Sequence, residues 1–153
     1  MATKQYLLPF RRQTGFTLIE VLLVVALMTI LAAIGTPIYG SLQNSNGLDV
    51  SVNTLAQYLY QAETFSRGEQ HDSPWGVAVV GQTMVLYAGT TYAGRNSAYD
   101  TTFSMPVTLH TSGLSEVDFS KLYGLPSATG TFTLQTGSSS RTVTINSEGM
   151  VSY

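Results

Sequence analysis

Glu20 is the side chain whose type and position most clearly imply chemistry in this sequence. It is the single charge in the run 16–34, FTLIEVLLVVALMTILAAI. A carboxylate within a membrane costs about 2.5–3.5 kcal/mol on insertion scales, so such a residue usually has a specific partner. The simpler interpretation is that Glu20 only favours the positive end of a helix dipole. We expect instead a cation that pairs with it.

The run around Glu20 predicts a helix of membrane-spanning length. At 1.5 Å per residue it would extend about 28 Å, close to the hydrocarbon core of a bilayer. Residues 1–15 carry Lys4, Arg11 and Arg12 without an acid, whereas the rest of the chain has four cations against nine acids, a net charge of 4 − 9 = −5. A basic head before an apolar run predicts that the head stays cytoplasmic.

Other interpretations of the apolar run stay open. Ala33-Ile34-Gly35 is a small-x-small triplet of the kind that a signal peptidase needs, so a cleaved secretory signal is one. Two features count against a secretory signal: the run is longer than the apolar core of a usual signal peptide, and it contains Glu20. A plain membrane anchor is the other interpretation.

Residues 15–20, GFTLIE, resemble the processing site of type IV prepilins and type II secretion pseudopilins. The resemblance implies that a prepilin peptidase cleaves after Gly15 and methylates the new amino terminus of Phe16. Glu20 would then be the fifth residue of the mature chain, behind a removed basic leader. The resemblance is strong over residues 11–40 and weaker beyond.

The implied cleavage supplies the cation that Glu20 lacks. An ammonium on Phe16 and the Glu20 carboxylate would attract strongly in low dielectric. Between neighbouring subunits the two groups pair at one axial offset only, so the pair would set register more than it adds stability. Glu20 is therefore predicted to act in filament assembly.

Glycine and proline follow the apolar run. Gly35 and Pro37, with Gly40, predict a kink or end of the helix, since proline removes a backbone hydrogen bond and clashes with the preceding turn. The segment 41–47, SLQNSNG, is polar and loop-like, so a full break is one possibility. A simple helix end at the membrane surface is the other.

A second helix is predicted up to Gly68, with Asp49 or Ser51 as its cap and Arg67 in its last turn. Its apolar positions recur every three or four residues and should form core against a sheet. They are Leu48, Val52, Leu55, Leu59 and Ala62.

The remainder predicts about seven short, mostly antiparallel strands, an α+β arrangement. Hairpin turns are expected at Gly81-Gln82 and 137–140, a loop over 89–100, and an edge or bulge at Pro106. The predicted strands are 75–80, 83–87, 102–110, 115–119, 130–136, 141–146 and 150–153. The predicted organisation is leader 1–15, transmembrane and assembly helix 16–40, amphipathic helix 41–68 and β-rich head 69–153.

The body is similar to the H-type pseudopilins and the FimT-type minor pilins. The similarity includes the run Asn53-x-Leu55…Ala62-Glu63…Ser66-Arg67-Gly68 and the pattern Phe119…Gly124…Gly130…Ile145-x-x-x-Gly149. Two departures matter. There is no cysteine, so the disulfide-bounded loop of many type IVa pilins is absent, and the tail 148–151 lacks the basic residues of many FimT-type chains. A role in nucleic-acid binding is therefore not expected.

Other candidate sites are weak. His71, Asp72 and His110 supply too few ligands for zinc, and 10% charged residues give no basic stripe for nucleic acid. Asp100, Glu116 and Asp118 lack the alternating oxygen ligands of a calcium loop. No nucleophile elbow or phosphate-binding glycine pattern occurs in the sequence. Arg95 is expected at a solvated loop tip rather than in an adhesive patch.

These observations predict a structural subunit without cofactor, metal or enzymatic activity. The resemblance implies a minor pilin or pseudopilin of a type IV pilus or type II secretion pseudopilus, held in the inner membrane with its body outside. Its implied partners are other pilin or pseudopilin subunits, the prepilin peptidase and an inner-membrane assembly platform. The alternative is a monomeric, single-pass, membrane-anchored binding domain, for which Glu20 would have no use.

Overall fold

The fold is given by a computed structural model that describes residues 15–153, with the backbone alone over 34–43. The predicted leader lies outside the described residues except for Gly15. The chain divides into two compact units, Met1–Tyr39 and Gly40–Tyr153.

One α-helix, α1, covers Leu18–Arg67. The helix continues through Gly35 and Pro37 and through 41–47, so of the two possibilities at 41–47 the full break does not occur. No helix begins near 48, so the prediction that Asp49 or Ser51 caps a helix there is wrong. The Ser51 hydroxyl instead donates to the Gly47 carbonyl, one turn earlier, at 2.8 Å. Whether the axis bends at Gly35 and Pro37 stays a prediction.

The predicted helix end is confirmed. α1 stops at Arg67, and the Gly68 amide donates to the Thr64 carbonyl at 2.9 Å. Glu69, His71 and Asp72 then have positive φ values of 49°, 58° and 53° around a short 3₁₀ turn, Gln70–Asp72. This turn leads the chain from the helix into the first strand.

Within residues 15–153, eight strands form two four-stranded antiparallel sheets. The strands are β1 Trp75–Val80, β2 Thr83–Ala88, β3 Asn96–Ser104, β4 His110–Gly113, β5 Glu116–Phe119, β6 Gly130–Thr136, β7 Ser139–Ile145 and β8 Val151–Ser152. Their order is β3-β2-β1-β5 in one sheet and β4-β6-β7-β8 in the other. The α+β prediction and both hairpins are confirmed.

The predicted strand 102–110 is wrong in its extent. It is divided between β3, which begins at Asn96 inside the expected loop, and β4, which begins at His110. Pro106 lies in the connection between these strands. Proline has no amide hydrogen to donate, and at this position none is needed for strand pairing. The early start of β3 comes with a register shift opposite Tyr87, between Leu86 and Ala88 of β2.

The core of the second unit joins α1 to both sheets. Leu48, Val52, Leu55, Leu59 and Ala62 are at most 5% exposed, which confirms the predicted stripe. They belong to one buried cluster with residues of both sheets, among them Trp75, Val77, Leu86, Phe119, Phe132, Leu134, Val143 and Ile145. The body therefore has a continuous hydrophobic core of its own.

Candidate functional site: the start of the apolar helix

The start of α1 contains Gly15, Phe16 and Glu20. Residues 15–17 are not helical, and α1 begins at Leu18. The Glu20 amide donates to the Thr17 hydroxyl at 3.3 Å and to the Thr17 carbonyl at 3.1 Å. Thr17 is therefore the N-cap of the helix, and Glu20 is its third residue.

This spacing is a helix-start signal that the sequence interpretation did not use. A threonine N-cap with glutamate three residues later is the pattern of a capping box. Phe16 and Val21 stand at the two positions of a hydrophobic staple, and both line one shallow apolar concavity with Glu20, Val24 and Val25. The residues that suggest processing are thus also the residues that start the helix.

The position of Glu20 in the first helical turn bears on both interpretations of its charge. A carboxylate there stabilises the helix by interaction with the unpaired amides. Glu20 is exposed, and no cationic side chain pairs with it among residues 15–153 outside 34–43. The Gly15–Phe16 bond lies outside the helix, so cleavage there breaks no intrahelical hydrogen bond.

The apolar side chains that follow Glu20 are exposed on every face. Leu22, Val25, Leu27 and Ile30 are 58%, 53%, 52% and 59% exposed. The sequence predicts a transmembrane helix over 16–40. Within the described residues, however, no helix combines the length and the apolar character required to cross a bilayer.

Of the three candidate ligands in the body, two have other contacts and the third is a strand residue. The His71 ring stacks on Tyr99 at a centroid distance of 3.9 Å, His110 begins β4, and Asp72 pairs with Lys121. Among the described side chains, no group of three or more histidine, aspartate or glutamate residues is placed to hold a metal ion.

Arg95 differs from the expected solvated loop tip. Its guanidinium lies 3.8 Å from the centre of the Tyr92 ring and pairs with Asp100 at 2.8 Å, and its side chain is only 22% exposed. The Asp100 hydrogen bond raises the pKa of Arg95. Residues from the predicted loop 89–100 therefore form a fixed polar cluster.

Beside this cluster, Tyr87 donates its hydroxyl to the Glu116 carboxylate at 2.8 Å. Burial, and then the hydrogen bond to Glu116, raise the pKa of the Tyr87 phenol. The same Glu116 oxygen accepts the Tyr92 amide. Two of the three carboxylates considered for calcium therefore make structural contacts: Glu116 through the oxygen that accepts from Tyr87 and Tyr92, and Asp100 through the oxygen that pairs with Arg95.

Comparison with known proteins supports the interpretation of the N-terminal region. Residues 10–36 match the family model described as the prokaryotic N-terminal methylation motif. The match includes Gly15, Phe16 and Glu20 and supports a type IV prepilin-like protein; the body lies outside it. Comparisons with curated proteins and with solved structures give no match.

Proposed function

We propose that this chain is a structural subunit of the pilin or pseudopilin type, processed by a prepilin peptidase and assembled into a filament. The observation that carries the proposal is the methylation motif match over residues 10–36. The capped helix start supports it, because the cap leaves the Gly15–Phe16 bond in a non-helical segment. We propose no catalytic role.

The processing step is tested by mass spectrometry of the mature amino terminus. We expect a chain that begins at Phe16 with a methylated amine. A Gly15→Ala chain keeps the helix cap and the apolar run, so it is the matched control. We expect a smaller fraction of this chain to be cleaved. A mature chain beginning at Thr36 would instead show a secretory signal.

The apolar segment is proposed to anchor the subunit in the inner membrane before assembly, with residues 1–15 cytoplasmic and the body outside. Its support is the row of exposed apolar side chains after Glu20 and the basic head before it. In a filament these side chains would exchange lipid for the helices of neighbouring subunits. Carbonate-resistant membrane association of the full chain tests the anchor.

Glu20 is proposed to set the offset between neighbouring subunits by pairing with the Phe16 ammonium. Glu20→Gln keeps the side-chain shape and removes the charge, so cleavage should persist while the share of processed subunit in sheared fibres falls. Glu20→Asp keeps the charge and is the matched control. If wild type and Glu20→Gln have equal shares of processed subunit in fibres, Glu20 would act only on the helix dipole. That result would favour the alternative of a monomeric, membrane-anchored domain.

Within this class we propose a minor pilin or pseudopilin similar to the H-type and FimT-type proteins. Three residues of the pattern near the end of the chain, Phe119, Gly124 and Gly149, meet in space. A Cβ on Gly149 would lie 2.9 Å from the Gly124 carbonyl oxygen and 3.6 Å from the Phe119 ring. These three residues form a packing junction between the loop after β5 and the turn before the last strand, which supports a shared body fold.

A further inference from the structure

Thr17 lies where the backbone changes from non-helical to helical. Residues 15–17 are not helical, and α1 begins directly after them at Leu18. The Thr17 carbonyl accepts the Glu20 amide at 3.1 Å and the Val21 amide at 3.3 Å. The Thr17 hydroxyl also accepts the Glu20 amide, at 3.3 Å. The side chain and the backbone of Thr17 therefore both bond to the first turn of α1.

The hydrogen bond to the Thr17 hydroxyl favours a helix start at this position. An N-cap residue has extended backbone, and its side-chain oxygen accepts an amide that the first turn otherwise leaves unpaired. Removing such an oxygen shifts the equilibrium between helix starts by a factor of about 2–30. Without it, α1 would lose much of its preference for Leu18 over an earlier start that includes Gly15 and Phe16.

Phe16, the residue before the cap, faces the same stretch of helix. It lines one apolar concavity with Glu20, Val21, Val24 and Val25, and Phe16 and Val21 stand at the two positions of a hydrophobic staple. A staple fixes the angle at which the chain enters a helix. Phe16 is still 82% exposed, so an enzyme can reach it.

The other side of the Gly15–Phe16 bond is open. A Cβ added at Gly15 would meet no other atom of the described chain within 4 Å, so packing does not require glycine there. Glycine also disfavours helix, so it opposes an earlier helix start in the same direction as the cap. The bond is therefore accessible, and both Gly15 and Thr17 favour its position outside α1.

Hydrolysis of the Gly15–Phe16 bond requires access to both of its ends. Water adds to the Gly15 carbonyl carbon, the bond from that carbon to the Phe16 nitrogen breaks, and the products are a carboxylate on Gly15 and an ammonium on Phe16. If the helix started earlier, the Gly15 carbonyl would accept the Ile19 amide, and this turn would have to open before an enzyme could attack. The cleavage rate would then fall with the fraction of chains in which the bond is outside the helix.

We propose that Thr17 is a positioning residue for processing, whose cap keeps the Gly15–Phe16 bond outside α1 and open to the prepilin peptidase. The inference rests on the proposed function, which the motif match over residues 10–36 supports independently of the hydrogen bond at Thr17. It adds that the peptidase depends on the backbone conformation that Thr17 sets. Any residue that caps a helix well should therefore replace Thr17.

The inference is tested by the initial rate of cleavage after Gly15. Full-length chain in membranes is incubated with a prepilin peptidase and sampled over time by mass spectrometry. Thr17→Val removes the hydroxyl and keeps the side-chain shape, so the rate should fall at least about twofold and up to about 30-fold. Thr29→Val is the matched control and should keep the wild-type rate, because the Thr29 hydroxyl donates to the Ala26 carbonyl inside the same helix at 2.8 Å.

A second variant separates capping from recognition of threonine itself. Asparagine caps helices at least as well as threonine and has no hydroxyl. Thr17→Asn should therefore be cleaved at about the wild-type rate. A direct contact between the peptidase and the threonine hydroxyl would not be restored by this change.

The conformation of the cleaved bond can be observed directly, because Gly15-Phe16 is the only Gly-Phe pair in the sequence. Glycine labelled with ¹³C at the carbonyl and phenylalanine labelled with ¹⁵N give a single directly bonded ¹³C–¹⁵N pair. An NMR spectrum of the full-length chain in detergent, selected for that pair, therefore reports the Gly15 carbonyl alone. Its chemical shift should move toward helical values in Thr17→Val and stay at the wild-type value in Thr17→Asn and Thr29→Val.

Each outcome decides the inference. If wild type and Thr17→Val are cleaved after Gly15 at equal rates, the positioning role fails while the proposed function stands. If Thr17→Val is slow and Thr17→Asn is equally slow, or if the rate falls without a change in the Gly15 carbonyl shift, the peptidase contacts the threonine itself and the inference is overturned. If wild type is not cleaved after Gly15, the inference and the proposed function fail together.

Discussion

The two ends of α1 use apolar residues in opposite ways. In the first part, Leu22 and Leu23 are both 58% exposed, whereas Leu55 and Leu59 in the second part have no exposed surface. The side chains are the same, and both segments are helical. The difference teaches that burial depends on what surrounds a side chain: the two sheets bury the second part, whereas the described residues of the first unit leave Leu22 and Leu23 exposed.

The largest effect is expected from a substitution in the second, buried part of α1. Leu59→Ala should destabilise the body by about 2–5 kcal/mol, since truncating a buried leucine loses its transfer free energy and leaves a cavity. Trp75 is the single tryptophan and is buried in the same core, so its fluorescence in urea reports the unfolding of the full chain in detergent. Leu22→Ala is the control and should leave that transition in place. If both variants are neutral, the stripe is not core.

A smaller effect is expected at Gly76 in β1. A Cβ there would lie 2.6 Å from the Tyr87 ring and 2.8 Å from the Val117 carbonyl oxygen, so the Tyr87 side chain and the neighbouring backbone must both shift. Gly76→Ala should therefore destabilise the body by about 1–3 kcal/mol, the usual cost of overpacking. The same urea titration measures it.

Gly94→Ala, in the loop before β3, is the comparison for Gly76→Ala. The nearest atom to its added Cβ is the Thr91 hydroxyl oxygen at 3.2 Å, the end of a side chain that can move. We expect a change within about 0.5 kcal/mol. Equal losses at both positions would show that the Gly76–Tyr87 contact has no special importance.

The smallest expected effect concerns the ion pairs that Lys121 makes with Asp72 and Glu69. The hydrogen bond from Lys121 lowers the pKa of Asp72 below its ordinary value. A lowered folded-state pKa adds stability above the ordinary carboxyl pKa, and this is lost as pH falls through the folded value. The Asp72 hydrogen bond raises the pKa of Lys121, so its share is present below the ordinary lysine pKa and is lost as pH rises through the folded value.

Asp72→Asn should consequently reduce stability slightly at neutral pH and should match wild type in acid, where Asp72 is protonated. The effect is small because the Asp72 side chain is 91% exposed. Urea midpoints at neutral pH and at a pH below the folded pKa check it. A difference that persists unchanged in acid would assign the loss to the strained turn 69–72 instead of the charge.

Prediction from sequence succeeded where the signal is local. The three-and-four spacing of Leu48, Val52, Leu55 and Leu59 fixes one helix face whatever it packs against. Gly81 and Gly137 predicted their hairpins because left-handed backbone favours glycine, and both have positive φ. Thr17 with Glu20 was an equally local capping signal, and it could have predicted the start of α1.

The errors arise where a short segment does not show what the rest of the chain does. Asn96 begins β3 inside a polar segment that looks like a loop, because pairing with Ala88 of β2 overrides its weak strand preference. Asp49 and Ser51 have side chains suited to a cap, but α1 was already helical before them, so they cap nothing. Cap propensity shows where a helix can begin and does not show whether one is already in progress.

The sequence by itself determined the methylation motif, the class of protein that the motif supports, and the alternation of helix and strands. These depend on residue identity and on spacings of a few residues. Only the tertiary structure decided that Arg95 is held by Tyr92 and Asp100, that Gly124 and Gly149 meet, and that Leu122, Tyr123 and Leu125 are left exposed. Those outcomes depend on which distant backbones touch, because burial and charge pairing are properties of the assembled core.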